Sequence, residues 1–237
     1  MSKSKQQAAA AAPVDFRTRT GQARRARTRA KILSAAFELF DKRGVDRVTV
    51  EDVREEAGLA RGSFYNYFVT YEDMLKALAS DIAHQINSEQ SERFESVSNL
   101  AERMWLNVRY AILRAASDRS CTEILVRITP LVGPLNEEMR AHAERTVRNS
   151  IKSKAIDVPS PGVALDLGFG LAIMMWQRAL NSRIDPKELE AAGLMFMRAC
   201  GVPEVEARRI SRLPLSKPPD IPLRTAVINH FERENTG

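Results

Sequence analysis

The stretch Thr49 to Phe68, TVEDVREEAGLARGSFYNYF, constrains this 237-residue chain more than any other. Thr49 and Asp52 have capping-box spacing, so a helix begins there. Val50, Val53 and Ala57 then share one face at spacings of three and four. Gly58 adopts positive φ at little cost and suits a turn. Phe64 and Phe68, at i and i+4, predict a second helix with an apolar inner face. Its other residues, Arg61, Gly62, Ser63, Tyr65, Asn66 and Tyr67, are polar or small and are expected to face outward. Two short helices around a tight turn make a helix-turn-helix, whose second helix enters the DNA major groove. Arg61, Ser63 and Asn66 are the expected base readers, since Arg forks onto guanine, Asn pairs with adenine and Ser serves either. Gly62 lets the backbone approach, and the hydroxyls of Thr49, Tyr65 and Tyr67 are expected phosphate donors.

Charge placement agrees with that expectation. Residues 1–68 hold 14 Lys and Arg against 8 Asp and Glu, which is the whole net charge of +6. The remaining residues balance at 22 against 22. Excess positive charge gathered on one module points to a polyanionic partner. Residues 1–22 are rich in Ala, Gln, Ser and Lys and predict a disordered basic arm. Arg24, Arg25 and Arg27 follow as expected sources of non-specific attraction to DNA. Arg54 is read as part of a solvated helix face.

The run Glu56-Ala57-Gly58-Leu59-Ala60, then Arg61-Gly62-Ser63-Phe64-Tyr65-Asn66-Tyr67-Phe68, then Thr70-Tyr71-Glu72-Asp73-Met74-Leu75 resembles the DNA-binding domain of TetR-family transcriptional regulators. The resemblance covers about residues 24 to 80. It departs from the family at Ala60, where the recognition helix usually opens on Ser or Thr. It departs again at Tyr71, where a phosphate-touching Lys is common and Tyr could donate one hydrogen bond.

The rest of the chain reads as helix after helix, so the expected fold is all-α. A helix from about Gln22 to Arg43 buries Leu33, Ala36, Phe37 and Phe40, with Gly44 as its stop. Another begins after Thr70 and turns Leu75, Leu78, Ile82 and Ile86 inward. Leu100, Met104, Val108, Ala111, Ile112 and Ala115 form one stripe, and Ile124, Leu125 and Ile128 a shorter one that Pro130 is expected to end. Leu135, Met139, Ala143, Val147 and Ile151 mark a long helix. Pro161 opens the next, and Asp185-Pro186 caps one that stops at Gly201. The domain reading is a disordered basic arm at 1–22, a helix-turn-helix head at 23–69, a helical regulatory and dimerisation body at 70–201, and a proline-containing tail at 202–237. The tail is expected to lie over the body with short helices at Glu204–Ser211 and Leu223–Arg233.

The resemblance implies a homodimeric, cytoplasmic repressor released from its DNA operator by a small, largely apolar ligand. It also implies that the last two long helices pair with those of a second copy, with Leu165, Phe169, Ile173, Leu189 and Phe196 as candidate interface residues. Met104, Trp105, Tyr110, Met139, Met174 and Trp176 are candidate ligand contacts, and Asn107, Arg109 and Arg178 are candidates to orient a polar group. A second reading keeps the head but makes the chain an architectural or cell-cycle DNA-binding protein whose body binds a protein partner. An enzyme is not expected. His84, His142 and His230 are scattered, Cys121 and Cys200 lack metal spacing, and no phosphate loop, dinucleotide pattern or nucleophile elbow is present. No cofactor, metal or membrane span is expected.

Overall fold

A computed structural model describes residues 16–132, 137–215 and 217–234. Among them the regular elements are helices: α1 (Phe16–Arg43), α2 (Val50–Glu56), α3 (Tyr71–Phe94), α4 (Leu100–Ala116), α5 (Arg119–Val132), α6 (Glu137–Lys152), α7 (Pro161–Ala179), α8 (Pro186–Ala199), α9 (Glu204–Ser211) and α10 (Leu223–Glu234). None is long and apolar enough to cross a membrane.

Local chemistry fixes the boundaries. Thr49 and Thr70 each close a full capping box, with Asp52 and Asp73 bonding back to the cap backbone. Asn99, Ser160 and Asp185 cap α4, α7 and α8 with side-chain oxygens. The α2 and α8 C-termini are Schellman turns. Gly58 and Gly201 have positive φ there, and Leu59 N–H and Val202 N–H reach back to the carbonyls of Arg54 and Met197. Gly201 is doubly required, because a Cβ would lie 2.4 Å from the Asp157 carbonyl oxygen.

Phe37, Phe40, Val45, Val53, Phe64 and Phe68 are buried in the small core of the head. α3 leaves the head and continues into the body, where Leu75, Leu78, Ile82 and Ile86 are buried. There it packs on α4 and α5, and α7 packs on α4, α5 and α6.

Three sequence expectations change. α1 is already helical at Phe16, so residues 16–22 are not a disordered arm. Only Gly21 there opposes helix propagation. The rest of the expected arm, residues 1–15, lies outside the described residues. α5 runs past Pro130 to Val132, since a proline in the last turn forfeits one backbone bond but not the turn. The tail does more than cover the body: α9 packs on α8 and α4, whereas α10 lies against α1, α3 and α5, where head meets body.

Candidate functional site

The segment between α2 and α3 is less regular than its sequence pattern predicts. One 3₁₀ turn, Phe64–Asn66, stands where a helix from 61 to 68 is expected. Gly62 has φ +88°, which excludes it from a right-handed helix, and Ser63 provides no side-chain cap. Ala60 has no side-chain oxygen to cap with, so nothing holds a first helical turn. Phe64 and Phe68 still anchor the segment, buried with ring centroids 5.7 Å apart. That anchoring presents Arg61, Tyr65 and Asn66 to solvent, Tyr65 being 61 % exposed. Ser63 and Tyr67 are half-buried. No atom lies within 4 Å of a Cβ built at Gly62, so space for an approaching partner exists there.

The basic residues of α1 border this segment. Arg25 donates to the Asn66 carbonyl at 3.3 Å and sits 6.0 Å from the Tyr67 ring centroid. Arg24 and Arg27 are exposed on the same helix. Arg54 is not a solvated face residue. It donates to the Leu59 carbonyl at 2.7 Å and pairs with Glu51 and Glu55, which braces the turn.

Two expected phosphate donors are already engaged. The Thr49 hydroxyl donates to Asp52 at 2.6 Å and accepts from the Asp52 N–H, so its hydrogen is held in the capping box. Tyr71 donates to the Val45 carbonyl at 2.8 Å, and burial pushes its phenol up to about 12. It closes the head core and is not free to meet a phosphate.

In the body, α3, α4, α5, α6, α7 and α8 line a partly open cavity of about 220 Å³. Its wall is mainly apolar, with Ile86, Phe94, Met104, Leu165, Phe169 and Trp176 among its residues. The Trp176 indole N–H is satisfied by the Ala111 carbonyl at 3.3 Å. Gln90 donates to the Asn107 main-chain carbonyl at 2.7 Å. The side-chain Oδ1 of Asn107 is buried in that wall with no hydrogen-bond partner. Buried polar atoms are nearly always paired, so an orphaned amide oxygen in a cavity wall marks a place for a donor.

Of the candidate ligand contacts, Met104 and Trp176 line the cavity. Trp105 does not. It lies behind the wall against Gly193, where a Cβ would meet its ring at 2.3 Å. Tyr110 is drawn away by its hydrogen bond to Glu89. Met174 is 57 % exposed on the opposite face of α7. The Met139 and His142 side chains lie outside the described residues. Arg109 is bound to the Leu213 carbonyl and Arg178 pairs with Glu188, so neither serves the cavity.

The candidate interface residues are partly committed to the chain's own core. Leu165, Leu189 and Phe196 are buried within the chain, and Phe169 and Ile173 are half-buried. A helix that is apolar all round hides which stripe faces its own core. Among the described residues, Val163, Leu167 and Met174 form an exposed apolar stripe on α7, and Met195 of α8 is 72 % exposed.

A polar cluster that the sequence analysis did not single out lies behind the cavity. Arg114, 1 % exposed, forms two hydrogen bonds with the buried Glu89, at 2.8 and 3.0 Å. Gln85 and Tyr110 also donate to Glu89. Burial disfavours the Glu89 carboxylate, but the bonds from Arg114, Tyr110 and Gln85 outweigh it and hold its pKa below the ordinary value. The i, i+4 pairs Gln85/Glu89 and Tyr110/Arg114 were the available signal, but nothing in the sequence joins them across helices. Among the described residues no three His, Cys, Asp or Glu side chains gather as metal ligands.

Comparison with known proteins places these features in context. Residues 32–78 match the family model described as bacterial regulatory proteins, tetR family. Residues 100–213 match the tetracyclin repressor-like C-terminal domain. The chain is 34 % identical over 102 residues to the transcriptional regulator TtgR of Pseudomonas putida, 41 % of this chain and 49 % of TtgR. It is 29 % identical over 76 residues to the repressor KstR2 of Mycobacterium tuberculosis, 32 % of this chain and 38 % of that protein. The chain thus spans about half, or less, of the length of these curated relatives. Among solved structures, RolR in complex with resorcinol superposes with a TM-score of 0.65 at 25 % identity, covering 82 % of this chain and 97 % of RolR.

Proposed function

The chain belongs to the TetR family of transcriptional regulators, and we propose that it is a homodimeric repressor released from its operator by a small, largely apolar ligand. The observation that carries the ligand part is the unpartnered Asn107 Oδ1 in a mainly apolar cavity. A ligand suited to it has an apolar ring body and at least one neutral O–H or N–H donor. Arg103, one turn before Asn107 on α4, and Glu95 are the charged residues of the same lining. The resorcinol complex of RolR supports a hydroxylated aromatic compound as the class.

Arg61, Ser63 and Asn66 read bases in this proposal, while Tyr65, Tyr67 and the Arg24, Arg25 and Arg27 guanidinium groups hold the backbone. One such segment reads few base pairs, so paired half-sites and two copies of the chain are required. The exposed stripe of Val163, Leu167, Met174 and Met195 is the surface offered for pairing. Ligand binding shifts the population toward a body conformation whose two heads no longer match the half-site spacing. Tenfold release needs only about 1.4 kcal/mol of coupling.

The test begins with selection of a duplex from a random pool by the full-length protein at about 0.15 M salt. The bound complex is then titrated with resorcinol and related phenols. Release by a phenol in the wild type, with a weaker response in Asn107→Leu, is the expected result. A selected duplex that no phenol or other small molecule displaces removes the effector and favours a body that binds a protein partner. Equal binding to selected and scrambled duplexes removes the repressor.

A further inference from the structure

The C-terminal segment after residue 213, where the match to the C-terminal family domain ends, makes specific contacts at the junction of head and body. Leu223, Val227 and Phe231 recur every four residues along α10, and all three are buried. The start of the segment is held by Arg114, which donates to the Ile221 carbonyl at 2.9 Å. Its middle is held by Arg224. The backbone N–H and one guanidinium nitrogen of Arg224 meet Asp118 Oδ2 at 3.1 and 3.2 Å. Another guanidinium nitrogen meets Asp41 Oδ2 at 3.0 Å. Asp118 is fully buried between α4 and α5, in the body. Asp41 stands in the last turn of α1, in the head. One side chain therefore ties a carboxylate of the head to a carboxylate of the body.

We propose that residues 217–234 are a strap that locks the head on the body through Arg224, and so sets the operator affinity of the ligand-free protein. The physical reason is entropic. Two heads that are held before binding meet two half-sites of fixed spacing without first losing freedom. α5 contributes a separate hold, since Glu123 accepts from the Val45 N–H at 3.2 Å and Arg127 pairs with Asp46. That hold grips the turn after α1, whereas the strap grips α1 itself. Arg114 also connects the strap to the cavity side of the body. It binds Glu89 and Ile221 together, and Glu89 adjoins Gln90 of the cavity wall. The affinity part of this inference rests on the repressor reading, whereas the locking part does not.

Arg224→Ala would strand the buried Asp118 carboxylate and risk the fold. Asp41→Asn removes the charge from the arm to the head, leaving at most a neutral hydrogen bond there, and keeps Arg224 on Asp118. Glu38→Gln is the control, because it removes the same charge from α1 at a side chain that pairs with Lys42 and not with the strap. Amide hydrogen exchange and the ratio of affinities for selected and scrambled duplexes are measured on the full chain. We expect amides 36–43 and 223–231 to exchange at least threefold faster in Asp41→Asn than in wild type. We expect the affinity ratio to fall at least threefold, with Glu38→Gln unchanged in both. Wild-type exchange in Asp41→Asn overturns the strap. Faster exchange with an unchanged or raised ratio overturns its role in operator affinity. If the wild type selects no duplex, the repressor reading fails, and exchange alone decides the locking.

Discussion

The recognition segment and the cavity place their polar groups in opposite ways. Residues 61–67 expose Arg61, Tyr65 and Asn66 on a backbone pinned by two buried phenylalanines. The cavity hides Asn107 and, behind it, the Glu89–Arg114 pair among apolar side chains. Exposed polar groups are already satisfied by water, so removing one changes binding and leaves the fold nearly unaltered. Buried ones depend on each other, so removing one leaves its partner uncompensated. Binding and stability should therefore separate between head and body.

The strongest test of that separation is Arg114→Ala. It leaves the Glu89 carboxylate buried without its counter-ion, and the expected loss is about 3–5 kcal/mol of unfolding free energy, read from urea denaturation. A loss near zero would show that the body does not rely on the pair. The same pair makes stability depend on acid. The folded pKa of Glu89 is depressed, so its contribution is complete above the ordinary carboxylate range and is lost as pH falls through the folded value. Glu89→Gln should flatten the decline in unfolding free energy as pH falls below the ordinary carboxylate range. A decline as steep as in wild type would place the acid sensitivity elsewhere.

Next in size is Asn66→Ala, with an expected loss of about 1–3 kcal/mol in binding to the selected duplex and relaxed preference at one base position. Its melting temperature should match wild type. A shifted melting temperature with an unchanged base preference would mean that Asn66 supports the fold rather than reads DNA. The smallest effect is expected for Thr49→Ala, at about 1 kcal/mol of stability from loss of the α2 capping box. If its binding instead falls uniformly across sequences at full stability, the Thr49 hydroxyl exchanges Asp52 for a phosphate on binding.

The head was legible because its determinants are close in sequence. Thr49 and Asp52, Thr70 and Asp73, and Phe64 and Phe68 act across three or four residues, and spacing alone predicts their contacts. One misreading there, a helix in place of a single 3₁₀ turn, comes from Gly62 and the absent cap at Ala60, both visible in the sequence. The body was legible as helices but not as a site. Met174 and Trp176 lie two residues apart, yet one faces solvent and the other the cavity. In an evenly apolar helix, nothing local says which side meets which neighbour.

The sequence by itself determined that this chain is helical, where most of its helices start and stop, and which short segment is the candidate to meet DNA. Caps, turn glycines and i, i+4 apolar pairs are local devices that work before the chain is compact. Only the tertiary structure decided that Asn107 Oδ1 is left unpaired in a cavity, that Arg114 finds Glu89, and that Arg224 joins Asp41 to Asp118 across 183 and 106 residues of chain. Those relations depend on how amphipathic faces pack, and packing selects among many pairings that the local pattern leaves equal.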